Sequence, residues 1–262
     1  MRSISLEIHF DDDSRETAEV YVDGLVNNVP RRFLFDTGCA RTTLKHDDFS
    51  LQFPSTGEEE SGGVFGRARY DIINVGSLIV GPIQQNRAVV SRAKQGELDR
   101  NLLGMDMLRD YCLRFAFDES RVELLDTALS ASHPLMNTTN DIPCIDVQAK
   151  DTRVGAIWDT GASITLVDAD FVKDHPNMFK LIGSDIGTDS SGRQSETPMY
   201  LMKPVTIGGH QFDAHKVVSL SLTKLRDAAS IPVVFILGYS TLRQARWVLD
   251  FPAKRWGIER MQ

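Results

Sequence analysis

The chain has 262 residues, 42% of them hydrophobic, and a formal net charge of −7 with an isoelectric point near 5.4. That length can bury a full core as one large domain or two small ones, while the acidic balance argues against a nucleic-acid binder, which carries a basic face. No apolar run reaches the roughly 20 residues that a membrane-spanning helix needs; the longest, Ile231 to Leu237, has the length of a buried strand.

The amino-terminal stretch alternates Ile4, Leu6 and Ile8 with polar neighbours, a strand pattern. It lacks the charged-then-apolar layout of a signal peptide, and strand patterning this early leaves no room for a removable pro-segment, so a cytoplasmic protein is expected. Asp11-Asp12-Asp13 reads as a solvated loop, as does Glu58-Glu59-Glu60 further on. Between them, residues 33–44 read FLFDTGCARTTL, an apolar run driven straight into Asp36. A lone ionised carboxylate at the end of a buried strand costs several kcal/mol unless a partner shares its proton.

The partner stands further along the chain. Residues 155–167 read GAIWDTGASITLV, so Asp-Thr-Gly recurs at Asp159, which is 159 − 36 = 123 residues on. The later parts of the two repeats align as well. Residues 102–124, LLGMDMLRDYCLRFAFDESRVEL, match residues 236–258, ILGYSTLRQARWVLDFPAKRWGI, without a gap from Gly104 and Gly238. Leu108/Leu242, Arg109/Arg243, Phe117/Phe251 and Arg121/Arg255 are identical pairs. Each copy reads as an apolar strand, a glycine, a short helix and a hairpin. In the middle of the repeats, VFGRARY and DSSGRQS place Gly66 and Gly192 about 30 residues after their aspartates, and LIVGPIQQNRAVVS matches VTIGGHQFDAHKVVS to within one inserted residue. The expected organisation is a first lobe over 1–124, a Ser/Thr/Asn/Pro-rich linker over 125–143 and a second lobe over 144–262.

Two carboxylates brought within a few Å cannot both ionise cheaply, so one proton is shared. The ionised member can take a proton from water while the protonated one hydrogen-bonds the attacked carbonyl and then protonates it, which is amide hydrolysis without a covalent intermediate. Thr37 and Thr160 suit hydroxyls that bond across to the opposite loop, and Gly38 and Gly161 suit close backbone approach. Three cysteines (Cys39, Cys112, Cys144) without CxxC spacing give neither a disulfide framework nor a zinc site. The six histidines form no HExxH motif, and Walker-type and GxGxxG patterns are missing, so neither a metal nor a nucleotide cofactor is expected.

Taken together, the two Asp-Thr-Gly triplets, each followed by an apolar pair plus glycine (Leu102-Leu103-Gly104, Ile236-Leu237-Gly238), resemble the pepsin and retropepsin clan of aspartic peptidases. The segment from Leu102 is most similar to bacterial retropepsin-like proteases, with both halves in one chain. The resemblance implies a mainly β, bilobal acid-protease fold of two pseudo-symmetric barrel-like lobes, each with one short helix. It also implies an extended peptide bound in a cleft between the lobes under hairpin flaps, with Asp36 and Asp159 activating the water. Flap segments are expected at Gly63, Val64, Phe65 and Gly66, and at Ser190, Ser191 and Gly192. The expected partner is a polypeptide substrate, with neither nucleic acid nor membrane, and the chain is expected to act as a monomer. Cys39 and Ala162 stand where pepsin-like members often carry Ser or Thr, so the dyad is expected to be less acidified than in pepsin. Two alternatives remain: an idle module of the same fold that binds peptides or protein partners, and a glycosidase-like use of the carboxylate pair.

Overall fold

The structure is a computed structural model that describes residues 2–12, 14–62, 66–127, 132–138, 141–188, 193–226 and 230–262. It is mainly β. Among the described residues the strands form three sheets: two of ten strands and one of six. The ten-stranded sheets are curled half-barrels, one built between Glu7 and Leu103 and the other between Met136 and Leu237, an arrangement consistent with a bilobal acid-protease fold.

The two curled sheets repeat one another in register. In the first, strand Ser14–Val26 turns back through Asn27 and Asn28, both at positive φ (49° and 65°), into Val29–Phe35, so that Tyr21 faces Leu34. Two successive left-handed residues make the tight hairpin turn that asparagine tolerates. In the second, Pro143–Ala149 pairs with Thr152–Trp158, and Cys144 faces Ile157. Beside Val29–Phe35 lies Asn101–Leu103, parallel, with Leu102 opposite Leu34; beside Thr152–Trp158 lies Val233–Leu237, parallel, with Ile236 opposite Ile157. Strands with neighbours on both edges and apolar cover on both faces read as continuous hydrophobic runs, which is why FLF and AIW end in such unbroken apolar sequence.

The glycine after each parallel strand is sterically required. A Cβ on Gly104 would lie 2.6 Å from the Arg41 carbonyl carbon, and one on Gly238 only 2.4 Å from the Ile164 carbonyl oxygen. The short helices Met105–Leu108 and Tyr239–Leu242 follow them. Met105 and Met107 are buried packing residues.

The six-stranded sheet joins the halves. Its central strands, Cys112–Ala116 and Ala245–Asp250, come one from each repeat and pair antiparallel, Phe115 opposite Trp247. Their hairpins close at 117–120 and 251–254. The segment 125–143 contributes His133–Pro134 to this sheet and Met136–Asn137 to the second curled sheet. Above the sheet, Phe35 and Trp158 meet edge-on with Phe115 (centroids 5.8 and 4.6 Å), and Trp158 packs on Trp247 at 5.9 Å. All four rings are fully buried. The residues immediately before the two aspartates therefore rest on one aromatic platform. Edge-to-face pairs of this kind add about 1 kcal/mol each beyond their area.

Candidate active site

Each aspartate is fixed by the backbone of its own half. The Asp36 N–H donates to Leu103 O and the Asp159 N–H to Leu237 O, both at 3.0 Å. Behind them, Gly104 N–H donates to Thr42 Oγ1 at 3.1 Å and Gly238 N–H to Thr165 Oγ1 at 3.0 Å. Thr42 is held in turn by the Asp106 carboxylate, which accepts its N–H and its hydroxyl at 2.8 Å. In the second half the Ser240 hydroxyl takes the corresponding place and accepts the Thr165 N–H at 3.0 Å.

The two loops are tied to each other by their threonines. Thr37 N–H donates to Thr160 Oγ1 at 3.2 Å and Thr160 N–H to Thr37 Oγ1 at 3.1 Å, while the hydroxyl of Thr37 donates to Trp158 O (2.8 Å) and that of Thr160 to Phe35 O (2.6 Å). Both threonines are buried. Both N–H groups and both hydroxyls of the pair are thus used across the junction, the condition under which a buried polar network rigidifies instead of costing stability.

Above this brace the aspartates meet. Each carboxyl acts on the other's ionisation. The glycines are reciprocal: a Cβ on Gly38 would lie 2.5 Å from Asp159 Oδ2, and one on Gly161 2.5 Å from Asp36 Cγ. Gly161 N–H and Gly38 N–H donate to Asp159 Oδ1 at 2.8 and 3.2 Å. Burial pushes the Asp36 carboxyl well above the ordinary range, and the charge and hydrogen bond of Asp159 push the same way; the N–H groups of Gly38 and Cys39 oppose them. Burial also raises Asp159, but four hydrogen bonds counter it, from Gly161, Asp36, Gly38 and Ala162. Burial thus works against ionisation of both carboxyls, and the upward push is the stronger at Asp36. Neither Cys39 nor Ala162 supplies a side-chain donor to the carboxyls, since the Cys39 thiol bonds Arg41 O at 3.0 Å. Burial and the Asp36 charge raise that thiol's pKa.

Asp36, Gly38, Asp159 and Gly161 open onto a cleft of about 1150 Å³. Two hairpins border it: Ser55–Gly62 with Arg67–Asn74, and Phe179–Thr188 with Gln194–Met202. They touch each other where Arg193 Nη2 donates to Arg67 O at 3.4 Å. Gly66 lines the cleft at this junction. Gly63, Val64, Phe65, Ser190, Ser191 and Gly192 lie outside the described residues.

Several cleft residues were not singled out from sequence. Leu34 and Leu102 flank Asp36, as Ile157 and Ile236 flank Asp159. The repeat itself carried that signal, because each stands two residues before a repeat-defining Asp or Gly. Glu19, Asp99 and Arg100 also line the cleft; these break the repeat and read in sequence as ordinary surface charge.

Residues 22–110 match the family model described as gag-polyprotein putative aspartyl protease. The matched segment runs from within the strand Ser14–Val26 to just beyond the helix Met105–Leu108 and so contains the first Asp-Thr-Gly and Gly104. The match is consistent with the retropepsin-like resemblance of the sequence. A search of curated proteins returned no match.

Proposed function

We propose that the protein is an aspartic endopeptidase that hydrolyses peptide bonds through a water activated by Asp36 and Asp159, acting as a monomer because both halves of the site lie in one chain. The observation that carries this reading is the meeting of two buried carboxyls, each packed against the other triplet's glycine, on a cleft of about 1150 Å³; burial and their mutual charge favour the retention of a proton between them. Ionised Asp159 takes a proton from the attacking water. Protonated Asp36 donates to the carbonyl oxygen, and the gem-diol that forms collapses as a carboxyl proton passes to the leaving amine. The aspartyl protease match over the first Asp-Thr-Gly supports the same chemistry.

The test is incubation of a diverse peptide mixture with the protein between pH 3 and 8, beside Asp36→Asn and Asp159→Asn. New termini are expected with the wild type and none above background with either variant. Identical peptide patterns from all three proteins would leave a peptide-binding module without catalysis.

A further inference from the structure

The two halves of the cleft follow one plan, and beside the dyad they differ where Glu19 and Arg100 stand. The 123-residue offset maps Leu34 onto Ile157, Tyr21 onto Cys144 and Glu19 onto Ile142; the offset between the glycines, 238 − 104 = 134, maps Leu102 onto Ile236 and Arg100 onto Val234. The strand registers repeat accordingly, Tyr21 opposite Leu34 and Cys144 opposite Ile157. In the second half every position of this set is apolar, and Val234, beside a register shift, packs into the main core instead of lining the cleft. Ile157, Ile236, Cys144 and Leu222 are buried, and Ile142 and Leu225 pack against them beside the dyad.

In the first half the floor is equally apolar, with Leu34, Leu98 and Leu102 nearly fully buried, but the wall above it is charged. Arg100 is ion-paired to Glu19 and to Asp99 (Nε to Oδ1, 3.0 Å), and it donates to Tyr21 Oη at 3.2 Å. Tyr21 in turn donates to Glu19 Oε2 at 2.8 Å, and its ring is covered by the Arg32 guanidinium at 4.5 Å. Glu19 and Arg100 are each about one-third exposed, 37% and 31%, so the cluster is braced from behind yet faces the cleft. On the cleft side it presents Glu19 and Asp99 beside the Arg100 guanidinium, with Arg32 behind the Tyr21 ring, and Asp11 and Asp12 line the same cleft. An apolar floor under an acidic rim fits a side chain with an aliphatic stem and a cationic end.

We propose that Glu19, Asp99 and Arg100 form a specificity wall that accepts a lysine or arginine side chain on one side of the scissile bond, while the pocket across the dyad accepts a large apolar side chain. Glu19 supplies the recognising charge, and Arg100 positions it. The inference rests on the reading of the site as a peptidase and names its substrate class.

The experiment uses a set of peptides identical except at the two residues flanking the cleaved bond, with Lys, Leu or Glu at one and Leu at the other. The wild type is expected to favour Lys over Leu at that position by about tenfold in kcat/KM, the lower end of what one hydrogen bond to a charged group contributes. Glu19→Gln, which is isosteric, is expected to reduce the ratio to near one. The double variant Glu19→Ile with Arg100→Val, which copies the second half, is expected to invert it in favour of Leu. Equal cleavage of the Lys and Leu peptides by the wild type, preference for Glu, or a ratio unmoved in both variants overturns the proposal. Calorimetric binding of the same peptides to Asp159→Asn separates the two readings. Lys-dependent binding without wild-type cleavage overturns the peptidase reading alone, and cleavage with binding indifferent to Lys overturns the specificity wall alone.

Discussion

The backbone N–H of Gly38, in the first repeat, donates to the carboxylate of Asp159, in the second, at 3.2 Å. The converse relationship holds for Gly161, which packs so closely on Asp36 that a single added methyl would sit 2.5 Å from the carboxyl carbon. Each Asp-Thr-Gly triplet therefore shapes the environment of the other triplet's aspartate. The proposed chemistry depends on keeping both contacts.

Gly161→Ala tests that dependence. The added Cβ must push the Asp36 carboxyl away, and a displacement near 1 Å costs about 100-fold in rate. Peptide hydrolysis is expected to fall by that amount or more, with far-ultraviolet circular dichroism unchanged.

The threonine brace is expected to show in stability. Thr37→Val removes the donor to Trp158 O and the acceptor of the Thr160 N–H, leaving two buried polar groups without partners. At about 1 to 3 kcal/mol each, urea unfolding is expected to register a loss of about 3 kcal/mol. Thr37→Ser, which keeps the hydroxyl, should recover most of it.

A second stability prediction concerns the base of the first cleft hairpin, where Asp71 accepts bonds from Arg92 (2.7 Å) and Lys94 (2.6 Å). Burial opposes ionisation of Asp71, but the bonds from Lys94, Arg92 and Ser55 outweigh it and bring the carboxyl down to about 2. A carboxylate whose pKa is lower in the folded state stabilises the fold fully above its unfolded pKa, near 4, and loses that contribution as pH falls toward 2. Asp71→Asn leaves the buried Arg92 without its carboxylate, and such losses run to about 3 kcal/mol. Denaturation at pH 7 should show that deficit, and the difference from wild type should shrink between pH 4 and 2.

The dyad has the opposite sign. Because Asp36 keeps its proton in the folded state at pH values where the unfolded chain has lost it, the native state binds more protons and loses stability as pH rises through that window. Asp36→Asn, which removes the titrating group, should therefore gain stability relative to wild type as pH rises from about 4 to neutrality. The same retained proton moves the alkaline limb of the rate profile upward, and Cys39 and Ala162 offer no hydroxyl to acidify the pair. Substantial kcat/KM is expected at about pH 6; activity confined to strongly acidic solution contradicts the account.

What the sequence disclosed and what it withheld have physical reasons. Asp36, Asp159, their threonines and glycines stood out because a close contact across a pseudo-two-fold axis must be written twice, with residues that no side chain can replace. The Glu19–Arg100 wall is written once, and Glu and Arg at single positions look like any solvated pair until Tyr21 and Leu34 are seen beneath them. The helix Ala169–Asp174 was not read because six residues are too few to show a helical period. Its signal was Asp168, whose carboxylate accepts the N–H groups of Asp170, Phe171 and Leu222 and pairs with Arg226. The cross-pairing of Cys112–Ala116 with Ala245–Asp250 was also hidden, since two similar hairpins in sequence do not disclose that they will share one sheet.

The most direct measurement of the central claim is infrared difference spectroscopy of the carboxyl C=O band near neutral pH. The account predicts a carboxylic-acid band in the wild type at about pH 6 that is lost in Asp36→Asn, with any contribution from the buried Asp106 unchanged. A wild-type spectrum in which every aspartate is fully ionised at that pH contradicts it, because two separate carboxylates have no proton to share.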